Sequence, residues 1–297
     1  MEWTPGGTSQ DIEDRRDDSG GGDGPSFGGF GFGHLGIGGV LVVGLLSLIF
    51  HQNFFTLFSG SGVNTGGSQA PMSRTQSPRN EQLDQQERPQ VQFMSFVLDD
   101  VQRNWDQILP QEAGANYRHA RLLLYRNAYP SACGTAQDAT GPFYCPGDEK
   151  VYLDLGFFQE LKRRFGGSDG EFAQAYVVAH EIGHHVQKIL GIEPKVRALQ
   201  EQRPNQANAL SVRLELQADC FAGVWGNSTQ QRKIINASDV ADALSAAASV
   251  GDDRIQKMSR GSVSPETFTH GSAAQRTMWF KRGLDSGQIS SCNTFAR

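Results

Sequence analysis

From about residue 91 onward, apolar positions recur at the spacing of amphipathic helices; before it they do not. In FMSFVLDDVQRNWDQIL (93–109), Met94, Val97, Val101, Trp105 and Ile108 share one helical face, and Pro110 marks an end. RLLLY (121–125) reads as a strand, and FYCPGDEKVYLDL (143–155) as a hairpin or paired strands around the turn PGD. FFQELKRRF (157–165) reads as a short helix. The next helix starts behind Ser168 or Asp169 as N-cap, carries Glu171 in its first turn and runs toward Leu190 and Gly191. Further helices are predicted over about 206–226, over 238–250 behind a capping Ser238, and over 270–284. The pattern predicts an α+β domain over 91–297, mostly helical with a small sheet and without internal repeats.

The front of the chain is different material. Residues 1–34 are rich in Gly, Asp and Ser, and such a segment buries too little apolar surface to offset its ordering entropy, so disorder is predicted. From Leu35 the text changes to LGIGGVLVVGLLSLIF, uncharged through Phe50, and FFTLF carries the apolar character on to Phe58. Residues 35–58 together are long enough to cross a bilayer of roughly 30 Å with some tilt. A cleaved signal peptide fits less well, because the preceding region is long and acidic and no A-x-A pattern follows. A buried core helix has low-complexity flanks with nothing to bury it. One transmembrane anchor is therefore expected, followed by a flexible linker over 59–90. Arg15 and Arg16 are the only basic residues before the span, which points to a cytoplasmic N-terminus and a domain in the periplasm or outside the cell.

The net charge of −5 comes with no block of basic residues, which argues against nucleic acid as a partner. All four cysteines follow residue 130. An even count on one side of the expected anchor fits disulfides in an oxidising exterior. Cys133 with Cys145 and Cys220 with Cys292 is the simplest of three pairings, and sequence does not choose among them. No C-x-x-C pair is present to suggest a zinc site on these thiols.

Candidate chemistry concentrates in VVAHEIGHHVQ (177–187), where His180, Glu181 and His184 spell H-E-x-x-H. On a helix, residues four apart share a face, so His180 and His184 can bind one ion. Glu181 lies about 100° further round and can reach a water beside that ion rather than the ion itself. Catalytic zinc takes three protein ligands and keeps a position open. The three-histidine pattern H-E-x-x-H-x-x-G-x-x-H fails, since HVQKILGIEPK follows His184. His185 points away and is expected at the surface or in a supporting layer.

A third ligand is available in RLELQADCFAGVWG (213–226), where Glu215 and Asp219 are again four apart. Glu215 can bind the metal, and Asp219 can accept the free N–H of a ligand histidine. The bland alternative has both carboxylates facing water. Their neighbours Ala218, Phe221, Ala222 and Val224 are core-like company instead, and buried charge needs a partner or a metal. Gly183 costs about 1 kcal/mol inside a helix relative to alanine and can admit close packing of a second helix.

With HEIGH (180–184), ELQAD (215–219) and THGSAAQR (269–276), the chain resembles a bacterial family of neutral zinc metallopeptidases with one N-terminal membrane anchor. More distantly it is similar to gluzincin peptidases of the membrane-associated, heat-shock and CAAX-processing type. The close resemblance spans nearly the whole chain, the distant one only the three motifs. It implies a zincin-like fold with Zn2+ on His180, His184 and Glu215, Glu181 as general base and Asp219 behind a ligand histidine. In the gluzincin relatives, a T/S-H-P segment with an arginine six residues after the histidine lies near the site. Gly271 stands here where that proline would be. By resemblance, His270 would stabilise an oxyanion and Arg276 would anchor Asp219 or substrate; a capping histidine and a surface arginine are the alternatives. The resemblance also implies that an extended peptide or protein substrate pairs along the strands of 143–155, which carry Tyr144 and Tyr152.

The function these readings predict is a membrane-anchored zinc endopeptidase. A non-catalytic, zinc-stabilised envelope protein that binds partners is the alternative; an intact Glu181 speaks against it, because a structural site needs no base. A metal-free anchored interaction module is a further one.

Overall fold

The computed structural model describes residues 1–18, 78–137 and 141–296. The expected span 35–58 and the first part of the linker, through residue 77, lie outside the described residues. Among the described residues no helix is long and apolar enough to cross a membrane.

The architecture is α+β and mostly helical with a small mixed sheet. Helix α1 (Pro78–Ala113) leads into β2 (Arg121–Tyr125), the hairpin β3 (Ala128–Ser131) and β4 (Gly134–Gln137), then β5 (Phe143–Cys145) and β6 (Lys150–Asp154). Helices α2 (Phe157–Phe165), α3 (Glu171–Ile189), α4 (Ile192–Gln202), α5 (Ala207–Gln231), α6 (Ala237–Ser249), α7 (Asp252–Arg260) and α8 (Ala273–Ser286) follow. An additional strand, β1 (Ile12–Asp14), comes from the N-terminus. The sheet order is β1-β2-β6-β5, with β1, β2 and β6 parallel and β5 antiparallel at one edge.

The face of α1 seen in the sequence is the core face: Met94, Val97, Val101 and Trp105 are fully buried. Trp105 meets Phe221 of α5 edge-on at 5.5 Å, and Phe172 of α3 stacks on Trp225 of α5. Burying each such side chain contributes about 1.5–3 kcal/mol, and together they hold α1 and α3 against α5. Both disulfides follow the simplest pairing: Cys133–Cys145 ties the β3–β4 hairpin to β5, and Cys220–Cys292 ties α5 to the C-terminal segment.

Four expectations need correction. Residues 1–18 are not disordered but lie along the domain. Leu122 N–H donates to Asp11 C=O at 2.9 Å and Arg15 N–H to Leu124 C=O at 2.8 Å, so an otherwise open edge of β2 is paired. Trp3 packs 5.2 Å from the ring of Phe93, and its indole N–H donates to Glu171 at 2.9 Å. Average composition is blind to two well-placed apolar anchors, Trp3 and Ile12, and to a waiting strand edge. Second, the linker does not extend to residue 90, because α1 begins at Pro78 and continues through Pro89 and Pro110. Its first turns carry Asp84 and Glu87, which are held by Arg126 at 2.5 and 2.6 Å; tertiary ion pairs outweigh the hydrogen bond a proline forfeits. Third, α6 is capped by Asn236, not Ser238: its side chain accepts from Ser238 N–H and Asp239 N–H while Asp239 returns a bond to Asn236 N–H. Fourth, α3 takes Gly170 as its N-cap, with Ser168 Oγ bonded to Gly170 N–H just outside. The β3–β4 hairpin, α4 and α7 were not anticipated; α7, DDRIQKMSR, offers only Ile255 and Met258 as large apolar residues.

Candidate metal centre

Helices α3 and α5 approach closely at Gly183. A Cβ built there would lie 3.0 Å from Ala218 C=O and 3.1 Å from Ala218 Cα, so the glycine is what lets the two motif helices meet. On the facing surfaces, one nitrogen each of His180 and His184 and one oxygen of Glu215 fall within 4.8 Å of one another. His180 Nε2 is 3.2 Å and His184 Nε2 3.5 Å from the Glu215 carboxylate.

The other side of each imidazole is fixed. His180 Nδ1 is 2.9 Å from Asp219 Oδ1, and His184 Nδ1 is 2.9 Å from Gln187 Oε1. Gln187 is fully buried, and its amide nitrogen donates to Leu214 C=O at 2.7 Å and Gln217 Oε1 at 3.2 Å, so its oxygen must accept. Assigned from this network, both histidines carry the proton on Nδ1 and turn the Nε2 lone pair toward Glu215. Two lone pairs and a carboxylate in one space need a cation between them. This donor set fits zinc, which takes tetrahedral nitrogen and oxygen ligands and keeps a fourth position for chemistry.

Without an ion, a proton does the same work. Burial pushes His180 down, but Asp219 and Glu215 outweigh it and raise it to about 10. Burial pushes Glu215 up, yet His184 and His180 hold it well below the usual carboxylate range. Burial likewise raises Asp219, and Arg276 with His180 brings it down to about 2. Arg276 lies buried on α8 and grips Asp219 twice, Nε to Oδ2 at 2.8 Å and NH2 to Oδ1 at 2.9 Å. Tyr176, one turn before His180, donates to Asp219 Oδ1 at 2.5 Å. The surface-arginine alternative is thereby set aside: Arg276 anchors Asp219. Gly223 of α5 and Gly283 of α8 leave no room for a Cβ between these helices, which is how Arg276 comes so deep.

Glu181 is buried beside edge strand β5, with the backbone of Tyr144 near enough to favour its charged form. Burial raises its pKa, and the two neighbouring histidines offset this only in part. His185 is no ligand, and it is not at the surface either. It is fully buried, with Nε2 at 2.6 Å from Arg118 C=O and Nδ1 at 2.8 Å from the Tyr144 hydroxyl.

His270 sits at the rim, one third exposed, close enough for its charge to lower the Glu215 pKa. Asp252, almost fully buried, receives the backbone N–H groups of Thr269, His270 and Gly271 at 2.7, 2.6 and 3.0 Å, and lies 3.3 Å from His270 Nδ1. Gly271 adopts φ +92°, which the fixed ring of a proline cannot reach, so the departure from T/S-H-P is a backbone requirement. Sequence reasoning missed Gln187, Tyr176 and Asp252. The first two were findable, lying three residues after one ligand histidine and four before the other. Asp252 comes from a distant helix with no local signal.

The described structure brings the motif residues His180, His184 and Glu215 together. A family model described as putative neutral zinc metallopeptidase matches residues 1–295. The uncharacterized protein YpfJ of Escherichia coli K12 is 45% identical over 299 residues, covering 100% of this chain and 99% of its own length. The uncharacterized protein Mb2605 of Mycobacterium bovis is 44% identical over 202 residues, covering 65% of this chain and 66% of its own. No solved structure matches. With a family model spanning all but the last residues and a relative aligned along the whole chain, this protein belongs to the putative neutral zinc metallopeptidase family.

Proposed function

We propose that the chain is a zinc-dependent endopeptidase of the extracytoplasmic compartment. The observation that carries this is the convergence of the His180 and His184 Nε2 lone pairs on Glu215, with a buried carboxylate, Glu181, beside them and unspent on any of the three. A structural site would have no use for that extra acid.

His180, His184 and Glu215 would hold the ion. Bound there, zinc would supply Lewis-acid polarisation of a carbonyl and acidify water toward neutral pH. Asp219 and Gln187 hold the histidine tautomers that leave Nε2 free to ligate. Glu181, with its proton affinity raised by burial, takes the proton of the attacking water and returns it to the leaving amine. Among the described residues β5 is an edge strand, and it passes beside Glu181, which suits an extended peptide added alongside. His270, held by Asp252 at the rim, is placed to meet developing negative charge. The two disulfides favour an oxidising compartment. The apolar stretch 35–58 is its attachment to the membrane.

The test is the Glu181→Gln protein. Elemental analysis should find one zinc per chain in it as in the wild type, while peptide hydrolysis falls by about 10²–10⁴-fold. Hydrolysis at the wild-type rate would remove Glu181 from the role of base. Zinc at unit stoichiometry with no chelator-sensitive hydrolysis in the wild type would favour the non-catalytic, partner-binding reading.

A further inference from the structure

The most polar part of the sequence makes contacts its composition does not foretell, and they bear on where the two ends of the chain reside. Residues 1–18 contribute a strand, a packed indole and a buried cation to the domain. The Ser9 hydroxyl donates to Asp99 at 2.5 Å. Gln102, fully buried on α1, donates its amide to Asp11 at 3.0 Å while its oxygen accepts Ala120 N–H at 2.6 Å. Arg16, only 7% exposed, bonds Asp14 at 2.7 Å and Glu87 at 2.6 Å. Burial pushes the Arg16 pKa down, but these carboxylates outweigh it and hold it above its usual range.

The chain leaves this body and rejoins it at one place. Arg126 reaches Asp17 at 3.5 Å on the outgoing side and Asp84 at 2.5 Å on the returning side. The two faces of a bilayer's apolar core are about 30 Å apart. Groups that share one guanidinium cannot stand on both.

We propose that residues 1–18 reside in the same compartment as the metal-centre domain. An anchor crossing once between residues 18 and 78, with the N-terminus in the cytoplasm and the domain outside, is incompatible with this. It would strip β1 from β2, Trp3 from Phe93, and Arg16 from Glu87. A second copy supplying the strand in trans gives no escape, since its N-terminus would need the same location. Of the two arginines 15 and 16 that suggested a cytoplasmic end, Arg16 is not a free topological signal, being an interior side chain of the fold. This goes beyond the peptidase reading and stands without it.

The experiment uses the full chain in cells, with one cysteine introduced at Thr8 or at Lys257, both exposed. The four native cysteines are paired, so the new thiol is the reactive one. Each variant is treated with a membrane-impermeant maleimide before and after permeabilisation. The expected result is the same labelling pattern at both positions. Labelling of Lys257→Cys in intact cells with Thr8→Cys labelled only after permeabilisation, or the reverse, overturns the proposal. Neither substitution touches the metal centre or the β1–β2 pairing, so both proteins should fold.

Discussion

The metal centre and the docked N-terminus are both built from charged side chains, and they are stabilised in opposite ways. At the centre, Asp219 is wholly buried among Arg276, His180 and Tyr176, and every polar atom around it answers another. At the N-terminal dock, Arg16 is buried but its carboxylate partners are a quarter or more exposed. A charge with no water to retreat to makes its partner indispensable, whereas one at the edge can be rehydrated. The first arrangement therefore holds the fold together; the second holds one strand on it.

That contrast is breakable. Asp219→Ala leaves the buried Arg276 guanidinium without its carboxylate partner and His180 without the acceptor at Nδ1. A loss of about 3–5 kcal/mol in global stability is expected from denaturant melts. Zinc affinity should fall too, because His180 loses the group that orients it. A variant as stable as the wild type would mean that Asp219 is not the keystone described.

Removing the Cys220–Cys292 bridge comes next. Its 72-residue separation predicts a loss of about 4 kcal/mol from loop-closure entropy. The Cys133–Cys145 bridge, with a separation of 12, predicts about 3. Differential scanning of the two double-alanine proteins tests the order.

Acid sharpens the comparison in the metal-free protein. The folded Asp219 pKa of about 2 lies below its unfolded value near 3.8. Its contribution is therefore fully present above about pH 4 and is lost as pH falls toward 2, amounting to about 2 kcal/mol. Asp219→Asn should remove that segment of the pH–stability curve; an unchanged curve would show that other groups govern it.

Arg16→Ala should act most weakly on global stability, by about 1–2 kcal/mol. Its effect should instead be local, with amide exchange rising in β1 and at Leu122 while α3 stays protected. Equal loss of protection in both regions would show that the dock and the centre form one cooperative unit.

How much of this was legible differs between the two regions for a physical reason. His180, His184, Glu215 and Asp219 announce themselves because helical periodicity converts spacing into direction, and carboxylates in an apolar stretch call for a partner. The Gly183 contact is legible on the same grounds, as an unfavourable residue retained in a helix. Arg276 needed the resemblance, since nothing near it in the chain says which acid it meets. Asp252 and β1 were not legible at all. Asp252 acts on three amides some twenty residues away, and β1 is a strand only because β2 has an edge to offer.

The sequence by itself determined the candidate chemistry of the centre: two imidazoles and a carboxylate able to hold a metal ion, a neighbouring carboxylate, and helical spacing that sets the ligands on shared faces. Tertiary structure alone decided which groups fix the imidazole tautomers, how deep Arg276 sits, and that the glycine- and aspartate-rich N-terminus begins as part of the domain. Local pattern encodes what one element presents to the rest. Whether a polar segment is ordered depends on partners hundreds of residues away, and those exist only once the chain has folded.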